Sequence, residues 1–221
     1  METEHRTVRE SELKALDKSV FLKEHESISS LEYRKVIIET AIVVIYSAAA
    51  VASSTTLVFI PNLETITIFI FLVSFYYGFR IGISMMLTTS IIYELFASIV
   101  YGFSGPLFFF KIFAYFFNVL IASNLANILK NDESNCQSFT NLGYHLGFTA
   151  IGIILTLLYD LITTSYSFFL VQNVKAFVLL FIAGLPYIFF HELTNGIIFF
   201  FVPDYIKLMK ISNNFAFNEA Y

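Results

Sequence analysis

The chain has 221 residues, of which 57% are hydrophobic, 18% aromatic and only 14% charged. With a mean hydropathy of +0.73, a water-soluble domain of this length would expose far too much apolar surface. The net charge of −4 does not indicate a nucleic-acid partner, and the single cysteine, Cys136, excludes a disulfide framework and any multi-cysteine metal site. We therefore expect an all-α, polytopic membrane protein.

Charged residues gather at the start of the chain. Seven of the 13 Lys and Arg residues precede Val36, and later charges stand mostly at the ends of apolar runs. Residues 1–33 are too charged for a secretory signal, and their acids and bases balance too evenly for a polybasic lipid-binding segment. We predict a cytoplasmic N-terminal arm over 1–35, a membrane domain over 36–203 and a cytoplasmic tail over 204–221.

Six apolar runs predict six membrane-spanning helices. In chain order they cover about 36–54, 63–77, 81–100, 107–129, 142–170 and 176–202. The second run is short for a membrane, which suggests a tilted or partly re-entrant helix. Because six spans place both ends on one side, and that side holds most cations, the positive-inside rule puts both termini in the cytoplasm. The loops at 53–64, 100–107 and 171–176 are then expected to face outward.

The third and fourth predicted helices carry a pattern that returns later in the chain. Glu94 lies inside the third run and Lys111 inside the fourth, on either side of a Gly-Ser-Pro turn. An acid and a base recur in the fifth and sixth runs as Asp160 and His191, and each base follows a proline by five positions. We predict a parallel repeat of the helix 3–4 and helix 5–6 hairpins, a frequent device in transporter folds.

Polar residues three or four positions apart line one face of each of these four helices. An ionisable group inside a membrane is costly unless it is paired or wetted, so these faces indicate a solute cavity open to the outside. Neighbouring tyrosines are able to stack on a flat ring. The alternative, compatible with the first, is that the acids pair with the bases and lock the bundle. The predicted site residues on the helices are Glu94, Tyr101, Lys111, Tyr115, Asn118, Asp160, Tyr166, His191 and Asn195.

Catalytic and metal-binding motifs are missing from the sequence. His191-Glu192 does not begin a zinc-protease HExxH helix, because Asn195 stands where the second histidine belongs. No GxSxG elbow and no GxxxxGK[ST] phosphate loop occur, so we expect no catalytic residue, metal or cofactor. Two other classes stay open: a stand-alone transporter coupled to protons through Glu94 and Asp160, and a membrane-embedded enzyme using Asp160, His191 and Glu192.

The first predicted span has an alanine-rich face. Small residues four positions apart, such as Ala48 and Ala52 or Ala49 and Ser53, allow a second helix to approach closely in lipid. Such a face serves either packing within the chain or contact with a partner subunit, and the sequence leaves both uses open.

Five short stretches within residues 36–203 form an ordered set. They are Pro61-Asn62-Leu63-Glu64, Tyr77-Gly78-Phe79-Arg80-Ile81-Gly82, Tyr101-Gly102-Phe103-Ser104-Gly105-Pro106, Tyr159-Asp160-Leu161, and Ala183-Gly184-Leu185-Pro186 with His191 and Asn195. In order and spacing, the set resembles the substrate-binding S components of energy-coupling factor (ECF) transporters. The chain departs from the family's pattern at Thr65, Leu107 and Lys111, where relatives often have proline, tryptophan and glutamine.

The resemblance implies a division of labour. An S component captures a vitamin-like micronutrient from outside, and the binding residues would here include Asn62 and Glu64 of an outer loop. It then docks on a membrane coupling subunit driven by two cytoplasmic ATPases, which accounts for the missing phosphate loop. In the family the small-residue face of the first span carries the docking contact, which implies Ala48, Ala49 and Ala52. The chain is thus expected to be a non-enzymatic, bilayer-embedded subunit of an ABC-type importer, with no nucleic-acid partner.

Overall fold

The computed structural model describes residues 32–56, 65–130 and 141–209, and these ranges are almost entirely helical. The chain divides into two compact units, Met1–Ile42 and Val43–Tyr221. The described part of the first unit, residues 32–42, is helical, and all tertiary contacts given below lie within the second unit. The helices are α1 (Glu32–Thr56), α2 (Ile66–Tyr77), α3 (Phe79–Tyr101), α4 (Leu107–Lys130), α5 (Leu142–Val171), α6 (Val174–Phe200) and α7 (202–209).

Five stretches of the described chain are long and apolar enough to cross a membrane. They are Glu32–Thr56, Phe79–Val100, Leu107–Leu129, Leu142–Val171 and Val174–Met209. Many of their large apolar side chains are exposed, as expected for helices whose outer faces contact acyl chains. The chain is therefore a multi-pass helical membrane protein, which confirms the predicted class.

The shortest helix, α2, is also the most enclosed. At about 1.5 Å per residue its 12 residues cover about 18 Å, less than the roughly 30 Å of a hydrocarbon core. Nine of those residues are buried, because α2 packs against α3, α4 and α6. A helix that is apolar on all sides is typical of a position enclosed by protein.

Two apolar clusters flank α2. In one, the ring of Phe71 lies 5.0 Å from that of Phe199 on α6 and 6.0 Å from that of Phe148 on α5. In the other, α2 side chains pack with Ala50 of α1, Met85 of α3 and residues of α4 such as Val119. The helix thus joins the early and late parts of the bundle.

Helix α7 extends across the predicted boundary between membrane domain and tail at residue 204. Val202 and Ile206, one helical turn apart, are fully buried in the cluster around Phe71. The Tyr76 hydroxyl also donates a hydrogen bond to the carbonyl oxygen of Met209, at 3.4 Å. Asp204, between these apolar positions, and Lys207, after them, lower the local hydropathy, which is why the sequence predicted a tail here.

The turn between α3 and α4 depends on two glycines. Gly102 has φ of +82° and Gly105 has φ of +60°, a region that side chains with a Cβ rarely adopt. Pro106 then precedes the first residue of α4, as predicted. Pro186, its counterpart in the predicted repeat, lies inside α6, so the two hairpins differ in where their proline stands.

Candidate functional site

Glu94, near the end of α3, accepts hydrogen bonds from three donors. The backbone N–H of Ser104 donates to Oε1 at 3.0 Å, and the Ser104 hydroxyl donates to the same oxygen. Lys111 Nζ donates to Oε2 at 3.2 Å, forming an ion pair between α3 and α4. The carboxylate therefore holds the glycine turn as well as the next helix.

The second acid–base pair joins α5 to α6. His191 Nδ1 lies 2.9 Å from Asp160 Oδ1 and 3.1 Å from Oδ2. In the tautomer with a proton on Nδ1, the imidazole donates to the carboxylate. Both side chains are largely buried. The pairing of acids with bases, which the sequence offered as one interpretation, is present in both hairpins.

Two tyrosine rings connect these pairs. Tyr115, one turn after Lys111 on α4, lies 5.1 Å from the ring of Tyr159 on α5. The Tyr159 ring in turn meets the ring of His191 edge-on, with centroids 5.9 Å apart. The polar faces of four helices therefore meet in one site, hereafter the polar belt, which consists of Glu94, Lys111, Tyr115, Tyr159, Asp160 and His191.

Two buried asparagines lie beside the polar belt. Asn118 Nδ2 donates to the carbonyl oxygen of Thr67 at 2.8 Å, which ties α4 to α2. Asn195 lies one turn after His191 and is fully buried, and no hydrogen bond from its amide to another described residue forms. Because a buried polar group without a partner costs about 1–3 kcal/mol, a purely structural role leaves Asn195 unexplained.

The remaining predicted solute-binding residues are not among those of the polar belt. Tyr166 packs against Phe110, with ring centroids 5.5 Å apart, and not against a ring of the polar belt. Asn62, Glu64 and the side chain of Tyr101 lie outside the described residues.

The alanine face of α1 is exposed. Ala48, Ala49 and Ala52 all lie on the outer side of the helix. The opposite side faces the bundle, where Thr89 Oγ1 donates to Ser47 Oγ at 3.0 Å. Within the described part of the chain, these alanines therefore do not pack internally. Internal packing was one of the two uses that the sequence left open.

Sequence reasoning did not include Ser104 among the site residues, and it placed Tyr159 only among the tyrosines beside the polar faces that are able to stack on a flat ring. Ser104 stands in a turn that folds back over the last turn of α3. The sequence signal for this contact was a serine that follows a helix-ending glycine and stands ten residues beyond a buried acid. Tyr159 precedes Asp160 directly, but its contact with Tyr115 depends on how α4 and α5 are rotated, which the sequence does not show.

The geometry defines a helical membrane protein with a polar site where four of its helices meet. In ranges 32–56, 65–130 and 141–209, no group of three His, Cys, Asp or Glu side chains is placed to hold a metal ion. The chain matches no model of a known protein family, no curated protein and no solved structure.

Proposed function

We propose that the chain is the solute-binding S component of an ECF-type importer. It would capture a vitamin-like or related small micronutrient from outside, for ATP-driven uptake by partner subunits. The polar belt carries this proposal, because two acid–base pairs and two tyrosine rings meet where four membrane helices join. Ionisable residues at such depth are costly, and substrate pathways are where they usually occur.

The solute would compete with contacts that the polar belt makes with itself. Lys111 is the most accessible ionic group of the polar belt, with 23% of its side chain exposed against 6% for Glu94. An ammonium has three N–H donors, and Lys111 uses one on Glu94 among the described residues. An anionic group on the solute would therefore bind at Lys111, while a flat ring would stack on the tyrosines.

A six-span topology with a repeated hairpin is part of the same proposal. Thr65, just before α2, shares hydrogen bonds with Ser53 and Ser54 at the end of α1, at 2.7 and 2.8 Å. The other end of α2 leads through Gly78 directly into α3. This arrangement supports α2 as a short second crossing, which would place both termini in the cytoplasm of a cell membrane.

The topology predicts the labelling of two single-cysteine variants. With native Cys136 removed, a cysteine at position 173 should react with an impermeant thiol reagent added to intact cells. A cysteine at position 131 should react only after the cells are permeabilised. The reversed pattern would contradict both the orientation and an outward-facing site.

Partner subunits would supply the energy. We propose that the exposed face formed by Ala48, Ala49 and Ala52 docks on a membrane coupling subunit, which two cytoplasmic ATPases drive. Its small side chains support this use, because they allow two helix backbones to approach closely in lipid.

The proposal is tested by transport with and without the partners. The small molecule that co-purifies with the detergent-solubilised chain is identified by mass spectrometry and then used in vesicle uptake assays. We expect uptake only when an ECF coupling subunit, its ATPases and ATP are all present. Uptake by the chain alone, driven by a pH gradient, would instead indicate a stand-alone transporter, and chemical conversion of the molecule would indicate an enzyme.

A further inference from the structure

Glu192 is an acid of α6 that the polar belt does not use. It lies near the middle of the 36-residue apolar stretch Val174–Met209, and residues 176–203 contain no other Asp, Glu, Lys or Arg. Because an α-helix has about 3.6 residues per turn, Glu192 is rotated by roughly 100° from the adjacent His191. Among the described residues it does not join His191 and Asp160 in a group able to hold a metal ion.

The carboxyl group of Glu192 is unpaired within the described chain. Its side chain is partly exposed, and no hydrogen bond or ion pair joins it to residues 32–56, 65–130 or 141–209. The acids of the polar belt, Glu94 and Asp160, are each bound to a base. An acid inside a membrane is costly, and such acids almost always pair with another polar group. A base for Glu192 therefore has to come from outside the described residues.

An apolar groove between α5 and α6, hereafter the α5–α6 groove, adjoins Glu192. Its volume is about 340 Å³, and its lining includes Leu193, next to Glu192, and Gly196, one turn further along α6. The two helices approach closely there, because a Cβ at Gly196 would lie 3.2 Å from Ile153 Cγ1 of α5. The one polar lining residue, Thr149, bonds within its own helix. The groove thus offers apolar packing with a carboxyl group beside it.

Charge decides which occupant fits this surface. Acyl chains of lipids would fill the groove but offer no donor to the carboxyl group. A second copy of this chain would bring one cation from inside an apolar run, Lys111, which is bound to Glu94, and its other Lys and Arg residues lie outside those runs. A membrane helix of a different protein, with a Lys or Arg near its middle, satisfies both the groove and Glu192.

We propose that Glu192 and the α5–α6 groove form an interaction surface for a basic membrane helix of a partner protein. The Glu192 carboxylate accepts hydrogen bonds from the ammonium or guanidinium group, and the apolar side chains beside that group pack on Leu193 and Gly196. This surface is on a different helix from the alanine face of α1 and uses no residue of the polar belt. The inference therefore does not depend on the solute-binding function proposed above.

Two synthetic helices test the inference without the natural partner. Both are leucine-rich transmembrane peptides of about 20 residues, one with arginine and the other with leucine at the central position. Each peptide carries a fluorescence donor, and the full chain carries an acceptor on its single cysteine, Cys136. In phosphatidylcholine vesicles, energy transfer should show the arginine peptide associating roughly 3- to 30-fold more tightly, the range of polar contacts between membrane helices.

Substitutions at Glu192 should change this preference according to charge. Glu192→Gln keeps the size but deletes the charge, so it should lose most of the preference for arginine. Glu192→Lys should instead prefer a third peptide, with a central glutamate, over the arginine peptide. The matched control is Asp204→Asn, because Asp204 is an exposed acid near the end of the same apolar stretch, and it should keep the preference for arginine.

Equal association of the first two peptides with the native chain would overturn the inference, as would an unchanged preference in Glu192→Gln. Energy transfer between two labelled populations of the chain that is lost in Glu192→Gln would assign the surface to a second copy and overturn the choice of a different protein. The comparison on the native chain decides even if a variant does not fold. Because neither solute nor ATP is present, failure here leaves the solute-binding proposal unaffected.

Discussion

Replacing Ala52 by leucine should abolish ATP-driven uptake while the purified chain still binds its solute. Ala52 is exposed on α1, and the helix is held to the bundle from its opposite side by Ser47 and the fully buried Ala50. A leucine at Ala52 therefore projects outward, where it keeps a second helix from approaching closely. Uptake into vesicles that hold the coupling subunit and ATPases, and solute binding by the isolated chain, are measured side by side.

A matched variant separates docking from a general effect of added bulk. Ala150 is an exposed alanine on α5, and Ala150→Leu adds the same atoms outside the proposed docking face. This control should transport normally, whereas Ala48→Leu, one turn from Ala52, should fail as Ala52→Leu does. Loss of solute binding in Ala52→Leu would contradict an external docking role, and normal uptake would place the coupling contact elsewhere.

Replacing Lys111 by glutamine should weaken solute binding roughly 10- to 150-fold. The change keeps an N–H donor but deletes the charge, and a hydrogen bond to a charged group contributes about 1.5–3 kcal/mol. Glu94 keeps both hydrogen bonds from Ser104 in this variant, so we expect the fold and the turn to persist. Affinity for the co-purified solute and melting temperature in detergent are the two measurements.

The paired variant Glu94→Gln distinguishes solute binding from charge neutralisation. If Lys111 serves only to pair with Glu94, Lys111→Gln should lower the melting temperature, since one charge is left without its partner. Adding Glu94→Gln would then restore stability, with affinity unaltered throughout, and that result would remove Lys111 from the binding site. Lys175→Gln is the matched control, because Lys175 is exposed in the first turn of α6, and it should alter neither quantity.

The class of the protein and most helix positions were predictable from local features of the sequence. Transfer of an apolar run into lipid depends on length and composition, which is why the predicted runs at 107–129 and 142–170 agree with α4 and α5 to within a residue. The two acid–base pairs were also accessible to sequence reasoning, because Glu94 and Lys111 flank one turn and Asp160 and His191 lie on consecutive helices.

Other features depend on how the helices are rotated and where they cross. Hydropathy marks α2 as a short apolar helix, but only packing by α3, α4 and α6 makes it the enclosed centre of the bundle. The link from Tyr115 to Tyr159 and the burial of Asn195 between α5 and α6 have the same origin. Contacts such as Gly152 with Phe199 set the rotation of each helix, and they join residues far apart in the chain. The pattern of the sequence indicates which residues share a face, whereas tertiary packing decides what that face meets.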